Sequence, residues 1–451
     1  MPPAEAPAAP LGARPVSGVH RTALLSRASP SLDHLPGEGG ILAGVSTLIE
    51  WTRRGAASML DQRLFFGPVF RTQFGLAHVV GVTDPKLVLE ILRNERGAFS
   101  PALTWPDLGA GVDGPSPALD LPGTPDYELY DAARALLQPA FSPAAMSGYV
   151  DMATPLFEHA VDMWTARGRV AFKAEVHRLV GRVSARAFLG VEDAREGQRL
   201  ETRLAAFGYT RLRDALQKRI ARRHGARGDD LFSRVCEAGR GVSPADEDGL
   251  VQLFIGVMHG AFDTMASGLA GMAYLLARHP EWQEQLRAEV LSLEKRRASY
   301  DDTSRLEAVD RVWRETLRLF PVTCTVPRKA LRPVALGPWR IPDGAVVFAL
   351  IGPAFRDVSC WKDPEHFDPD RFSSTTLAQA DKARQETLVA PFGTSVHGGL
   401  GIQLASAEVK AFWVSMLTRC RFHLEREYEA RHTMIPVGTV SGEVPLAIEP
   451  L

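Results

Sequence analysis

The sequence predicts a mainly α protein with small β-sheets, and three observations carry that reading. Residues 306–320 place apolar side chains at Leu306, Val309, Trp313, Leu317 and Phe320, the three-and-four spacing of an amphipathic helix. Residues 248–267 form a longer, mostly apolar stretch with few polar interruptions, as in a helix buried on most sides. Strand-like alternation is confined to residues 68–82 and 334–349, so the β content is modest.

Taken along the chain, residues 1–36 are rich in Pro and Ala, with Arg14, Arg21 and Arg27 against the single acid Glu5 in the first 32. A segment so poor in large apolar side chains cannot offset its ordering entropy, which predicts a disordered tail; a transit peptide has the same Arg-rich, acid-poor composition. Residues 68–82 alternate about Gly75 and predict a hairpin. Within residues 274–290, His279-Pro280 marks a helix boundary, because the residue before a proline is pushed out of the α region. The helix over 306–320 sets Glu315 and Arg318 three apart on one face. On most helices such a pair is solvated. Residues 334–341 and 345–349 predict a second strand pair.

One loop is more specific. Residues 390–405 contain Phe392, Gly393, Ser395, His397, Gly399 and Gly401, a run that resembles the haem-binding loop of the cytochrome P450 family, Phe-Gly-x-Gly-x-His/Arg-x-Cys-x-Gly. Ser395 replaces a glycine, and Gly399 occupies the position of the thiolate ligand. The resemblance extends through most of the chain in the same order. Glu315 and Arg318 match the family's Glu-x-x-Arg, and Arg371, within residues 363–372, matches the arginine that completes its buried ion network. Residues 248–267 resemble the long helix that crosses above the haem, with Asp263 and Thr264 as its acid–alcohol pair. Residues 126–142 resemble the segment that holds a haem propionate, through Tyr130 and Arg134; Arg328 and His397 carry over as further propionate partners.

The resemblance therefore implies the cytochrome P450 fold of the soluble, bacterial-like type, as a single domain over residues 37–451. It overrides the two or three domains that 451 residues alone would suggest. It also implies a haem slot whose iron has no cysteine. His259 lies four residues before Asp263, on the same helical face, and the resemblance points it into the pocket above the porphyrin. Imidazole is a competent haem ligand; a satisfied helix histidine is the alternative. Cys324 falls on a pocket-lining loop by the same resemblance, although a buried cysteine is most often packing. An empty porphyrin-sized slot would be strongly destabilising at about 24 cal/mol per Å³, so a haem-free form must have collapsed or refilled it.

Composition excludes several classes. The net charge is −1 with no basic stripe, which argues against a nucleic-acid partner. The four cysteines, at 236, 324, 360 and 420, have neither metal nor disulfide spacing, and a reducing cytoplasm is the expected compartment. No apolar run reaches the length of a membrane span. The carboxylate pairs Asp229-Asp230 and Asp301-Asp302 could hold Mg for a diphosphate substrate, against the simpler expectation of solvated loop acids. Three functions remain open. The first is non-oxidative isomerisation or cyclisation of a lipophilic small molecule, such as an isoprenoid of a secondary-metabolism pathway, using Asp263, Thr264 and His259. A non-catalytic helper that activates a partner such as a glycosyltransferase is the second, and a haem monooxygenase with a changed ligand is the third.

Overall fold

The computed structural model describes residues 30–451 except 75, 95–96, 101–136, 192–215, 217–227, 239–243, 296, 380–400 and 435–436. Helices dominate the described residues. In chain order the principal ones are α1 (Ile41–Arg54), α2 (Ala56–Phe66), α3 (Pro85–Arg93), α4 (Pro143–Arg167), α5 (Phe172–Leu189), α6 (Leu231–Ala238), α7 (Pro244–Arg278), α8 (Pro280–Leu291), α9 (Glu307–Leu319) and α10 (Ile402–Leu417). Local chemistry sets many of their ends. Asp84 caps α3 by accepting from the backbone N–H groups of Lys86 and Leu87, with Pro85 pre-set at the first helical position. Ser142 and Pro143 do the same for α4, which stops at Gly168 in a left-handed conformation, φ 70°. The boundary at His279-Pro280 falls between α7 and α8.

The helical core is built on α7, which packs most extensively on α5 and also against α9. Close approach to α9 requires Gly268: a Cβ there would lie 2.3 Å from the Trp313 ring. Beside it, Phe412 of α10 meets Phe157 of α4 and Phe172 of α5 edge-on, at 5.6 and 6.0 Å between ring centroids, so α4, α5 and α10 share one aromatic knot.

The second core lies under a five-stranded sheet of β1 (Val69–Phe74), β2 (Ala77–Val82), β3 (Phe99–Ser100), β5 (Thr325–Ala330) and β8 (Val346–Leu350), in the order β1-β2-β8-β5-β3. The β1–β2 hairpin pairs Val69 with Val82 and Phe74 with Ala77, around residue 75, which is outside the described residues. β8 corrects the expectation of a pair between residues 334–341 and 345–349. Val334–Leu336 (β6) and Trp339–Ile341 (β7) form a hairpin of their own, whereas β8 runs parallel to β2, Val79 opposite Val346, and antiparallel to β5. Every residue of β8 is buried. An unbroken apolar run belongs in the middle of a sheet covered on both faces, not in an exposed two-stranded ribbon. A three-stranded sheet of β4 (Arg169–Ala171), β12 (Pro445–Pro450) and β9 (Cys420–Leu424), and a short pair, β10 (His432–Thr433) with β11 (Thr439–Val440), complete the described strands.

Packing also begins before residue 37. Leu32 and Leu35 are buried in the sheet core, and Arg71 N–H donates to the Pro36 carbonyl. The boundary drawn at residue 36 thus falls inside a packed segment; residues 1–29 lie outside the described residues.

Candidate functional site

A buried ion network lies at the C-terminal half of α9. Glu315 and Arg318 are almost fully excluded from water and form a bidentate pair, Nε to Oε2 at 2.7 Å and Nη2 to Oε1 at 2.8 Å. Arg318 spends its remaining donors on the carbonyls of Phe355, Pro364 and His366, at 3.1, 2.5 and 3.1 Å, and its guanidinium lies over the Trp361 ring. Glu315 Oε1 accepts from Asp368 N–H at 2.9 Å. Arg371 adds an ion-pair contact, Nε to Glu315 Oε1 at 3.5 Å, and donates to the carbonyls of Lys362, Asp363 and His366. Buried charges cost several kcal/mol each unless every donor and acceptor is met. Here the guanidinium forks meet a carboxylate and a ring of carbonyls, which pins residues 355–371 to α9.

Asp263 lies on α7 beside α5. Its Oδ1 is 3.1 Å from His177 Nε2, the aspartate mostly buried and the histidine one-third exposed. The His177 ring stands edge-on to Phe262 at 4.6 Å, which fixes its orientation. With the proton on Nε2, His177 donates to Asp263, so the acid has a partner that reaches solvent. Thr264 is the next residue on α7 and half-buried. His259 is on the same helix, one turn earlier; its side chain is outside the described residues.

Around the start of β5, Cys324 is buried and its thiol donates to the Pro321 carbonyl at 3.2 Å, with His432 Nε2 3.5 Å away. Burial pushes the Cys324 thiol up to about 12 and the His432 imidazole down to about 3, so both are neutral near pH 7. A thiol held in that way packs rather than reacts. Arg328 of β5 is buried, and its Nη1 donates to the Pro327 carbonyl at 2.9 Å. On α10, Glu408 is buried with Oε1 lacking a hydrogen-bond partner among the described residues, and burial pushes its carboxyl up to about 8.

The structure therefore brings Glu315, Arg318 and Arg371 together and couples Asp263 to His177. Tyr130, Arg134, Phe392, Ser395, His397 and Gly399 lie outside the described residues. One acid of each carboxylate pair is not a solvated loop acid. Asp230 is buried and accepts from Ser233 N–H and Oγ, while Asp302 closes a capping box with Ser299 and binds Lys295 at 2.8 Å. No group of three or more acids, histidines and cysteines among the described residues is placed to hold a metal ion. Sequence reading missed His177, His432 and Glu408.

Comparison with known proteins decides the family. The cytochrome P450 family model matches residues 199–449. The chain belongs to the cytochrome P450 family. Its relatives include cytochrome P450 136 of Mycobacterium tuberculosis, 27% identical over 357 residues that cover 72% of this chain and 71% of that protein. Thromboxane-A synthase of Sus scrofa is 33% identical over 174 residues, 38% of this chain and 32% of that enzyme. Among solved structures, retinoic acid-bound cyanobacterial CYP120A1 matches with a TM-score of 0.78 at 21% identity, covering 90% of this chain and 96% of that one. That likeness shows the cytochrome P450 fold. No helix among the described residues is long and apolar enough to cross a membrane.

Cytochrome P450 proteins generally bind haem, and this chain's residues fit the group only in part. Arg328 places a buried cation on β5, chemistry suited to a porphyrin carboxylate. Residue 399, which the sequence resemblance aligns with the iron ligand, is a glycine without a donor atom and lies outside the described residues.

Proposed function

We propose that this cytochrome P450 protein converts a lipophilic small molecule without thiolate-haem oxygen chemistry, by a proton-driven isomerisation or cyclisation. The glycine at position 399 carries the reading. A cysteine thiolate is what pushes electron density onto haem iron and favours O–O cleavage, and a hydrogen atom in its place supplies none. The acid–base groups are, by contrast, present and coupled: Asp263 pairs with His177 at 3.1 Å, and a carboxylate joined to a partly exposed imidazole can exchange a proton with water while its own orientation stays fixed. Thr264 adds a hydroxyl beside the acid. The lipophilic character of the substrate follows from the family, and the isoprenoid acid bound by CYP120A1 supports an isoprenoid skeleton.

Haem content tests the reading. Protein expressed with a haem precursor is expected to purify with far less than one iron per chain. Gly399→Cys is expected to raise that ratio and to produce a thiolate-type ferrous–CO spectrum. Stoichiometric haem in the unaltered chain, with oxygen-dependent turnover of an isoprenoid acid, would refute it. For a chain that does turn over such a substrate without oxygen, Asp263→Asn should abolish the activity, and His177→Gln should shift its pH profile.

A further inference from the structure

Away from the candidate site, an open groove of about 690 Å³ runs between the end of α1, the end of α7, the end of α9 and the segment entering β10. Its volume is in the range of small-molecule sites, about 300–1,000 Å³. Asp263, His177, Glu315, Arg318 and Arg371 are not among its described lining residues; His432 and His366, neighbours of Cys324 and of the Arg318 network, are. The charges around it do not cancel. Arg54 is held by Glu50 at 3.3 Å and Asp61 at 2.6 Å, and Arg356 by Glu365 at 3.1 Å. Arg53, Arg278 and Arg431 also line the groove, all three exposed, and among the described residues none of their guanidiniums takes part in an ion pair or side-chain hydrogen bond. Glu429 is the acid of the described lining that no cation engages.

Three guanidiniums thus face one carboxylate. Arg53 and Arg278 each sit in the last turn of a helix, where the macrodipole alone favours a cation, but that rule would leave them free to point anywhere around the helix end. It does not account for Arg431, which lies outside any helix and borders the same space. Arg356 adds a nine-tenths-buried cation whose Nη1 has no hydrogen-bond partner among the described residues. The lining is also partly apolar, with Leu60, Leu275 and Phe320. We propose that this groove binds an anionic amphiphile, a molecule with a carboxylate or phosphate head and an apolar body, at a site distinct from the candidate active site. The cations attract the head, and the apolar wall removes the body from water. The inference does not depend on whether haem binds.

Calorimetric titration of the full chain with decanoate, decyl phosphate and decanol tests it. Both anions are expected to bind saturably at one site, decanol at least tenfold more weakly, and the preference between the anions identifies the head group. The triple variant Arg53→Gln, Arg278→Gln, Arg431→Gln should lose roughly tenfold in affinity for the anions, in keeping with loss of several partly exposed charge contacts, and leave decanol unchanged. Its thermal melt should match the parent, because these side chains hold no ion pair to lose. Glu429→Gln should tighten anion binding. Anion affinity that equals decanol's, or that survives the triple substitution, or the absence of saturable binding, would overturn the proposal.

Discussion

Glu408 gives the sharpest test of the described core. It is 6% exposed on α10, its Oε1 has no partner among the described residues, and burial pushes its carboxyl from an ordinary 4.5 up to about 8. The folded chain therefore keeps this proton at pH values where the unfolded chain has released it. Below about pH 4.5 both states are protonated and the group is neutral in the balance. Between about 4.5 and 8 the unfolded state gains by ionising, so stability falls as pH rises, by at most about 1.4 kcal/mol per pH unit. By pH 7 that amounts to about 3 kcal/mol, and above pH 8 the loss levels off. Glu408→Gln keeps the shape and removes the titration. Because an amide brings its own hydrogen-bonding needs, the difference at any one pH is not diagnostic; the slope is. Urea unfolding followed by tryptophan fluorescence at pH 5, 6, 7 and 8 should show the variant gaining on the parent steadily with pH. Parallel curves would mean that the carboxyl is ionised in the folded state and has a partner that the burial argument omits.

Three further outcomes follow from the packing. Arg318→Met leaves the Glu315 carboxylate buried without its bidentate partner, and should destabilise the fold by about 3–5 kcal/mol in thermal or chemical melts; a loss below about 1 kcal/mol would contradict the network's role in holding residues 355–371. Gly268→Ala puts a methyl where the Trp313 ring lies 2.3 Å away, and should cost about 1–3 kcal/mol by forcing α7 from α9, with an unchanged melting temperature as the contrary result. Cys324 and Cys420 are buried with thiols pushed up to about 12 and about 11, so iodoacetamide at pH 8 should modify Cys236 and Cys360 in the native protein and the other two only after denaturation, as read by peptide mass spectrometry. Native labelling of Cys324 would mean that the turn from Pro321 opens in solution.

What was legible in the sequence was what is local. The helix over 306–320 and the Glu315–Arg318 spacing could be read because both halves of the contact lie within one turn. At two places the local residues carry a signal that outweighs adjacency or exposure. The unbroken apolar run of β8 is that of a strand covered on both faces, yet adjacency in sequence suggested a ribbon with residues 334–341. Ser299 three residues before Asp302, and Ser233 three after Asp230, are capping spacings that commit those acids to helix ends. His177 and His432 had no such signal. Each is a single histidine whose partner is remote in the chain, Asp263 for one and Cys324 for the other, and no spacing rule joins them.

The same distinction between local and remote decides which retained residues bear on function. Glu315, Arg318 and Arg371 engage one another and the carbonyls of Phe355, Lys362, Asp363, Pro364 and His366, with only Arg371 Nε lacking a hydrogen bond among the described residues. The network holds residues 355–371 against α9 and so serves the fold. Asp263 is different, because its partner His177 is one-third exposed and the pair gains little by being buried. A chain under pressure only to keep this architecture could replace that pair with two apolar side chains at no loss. Because the packing does not require the pair, Asp263 with His177 is the better argument that chemistry, and not the fold alone, is maintained.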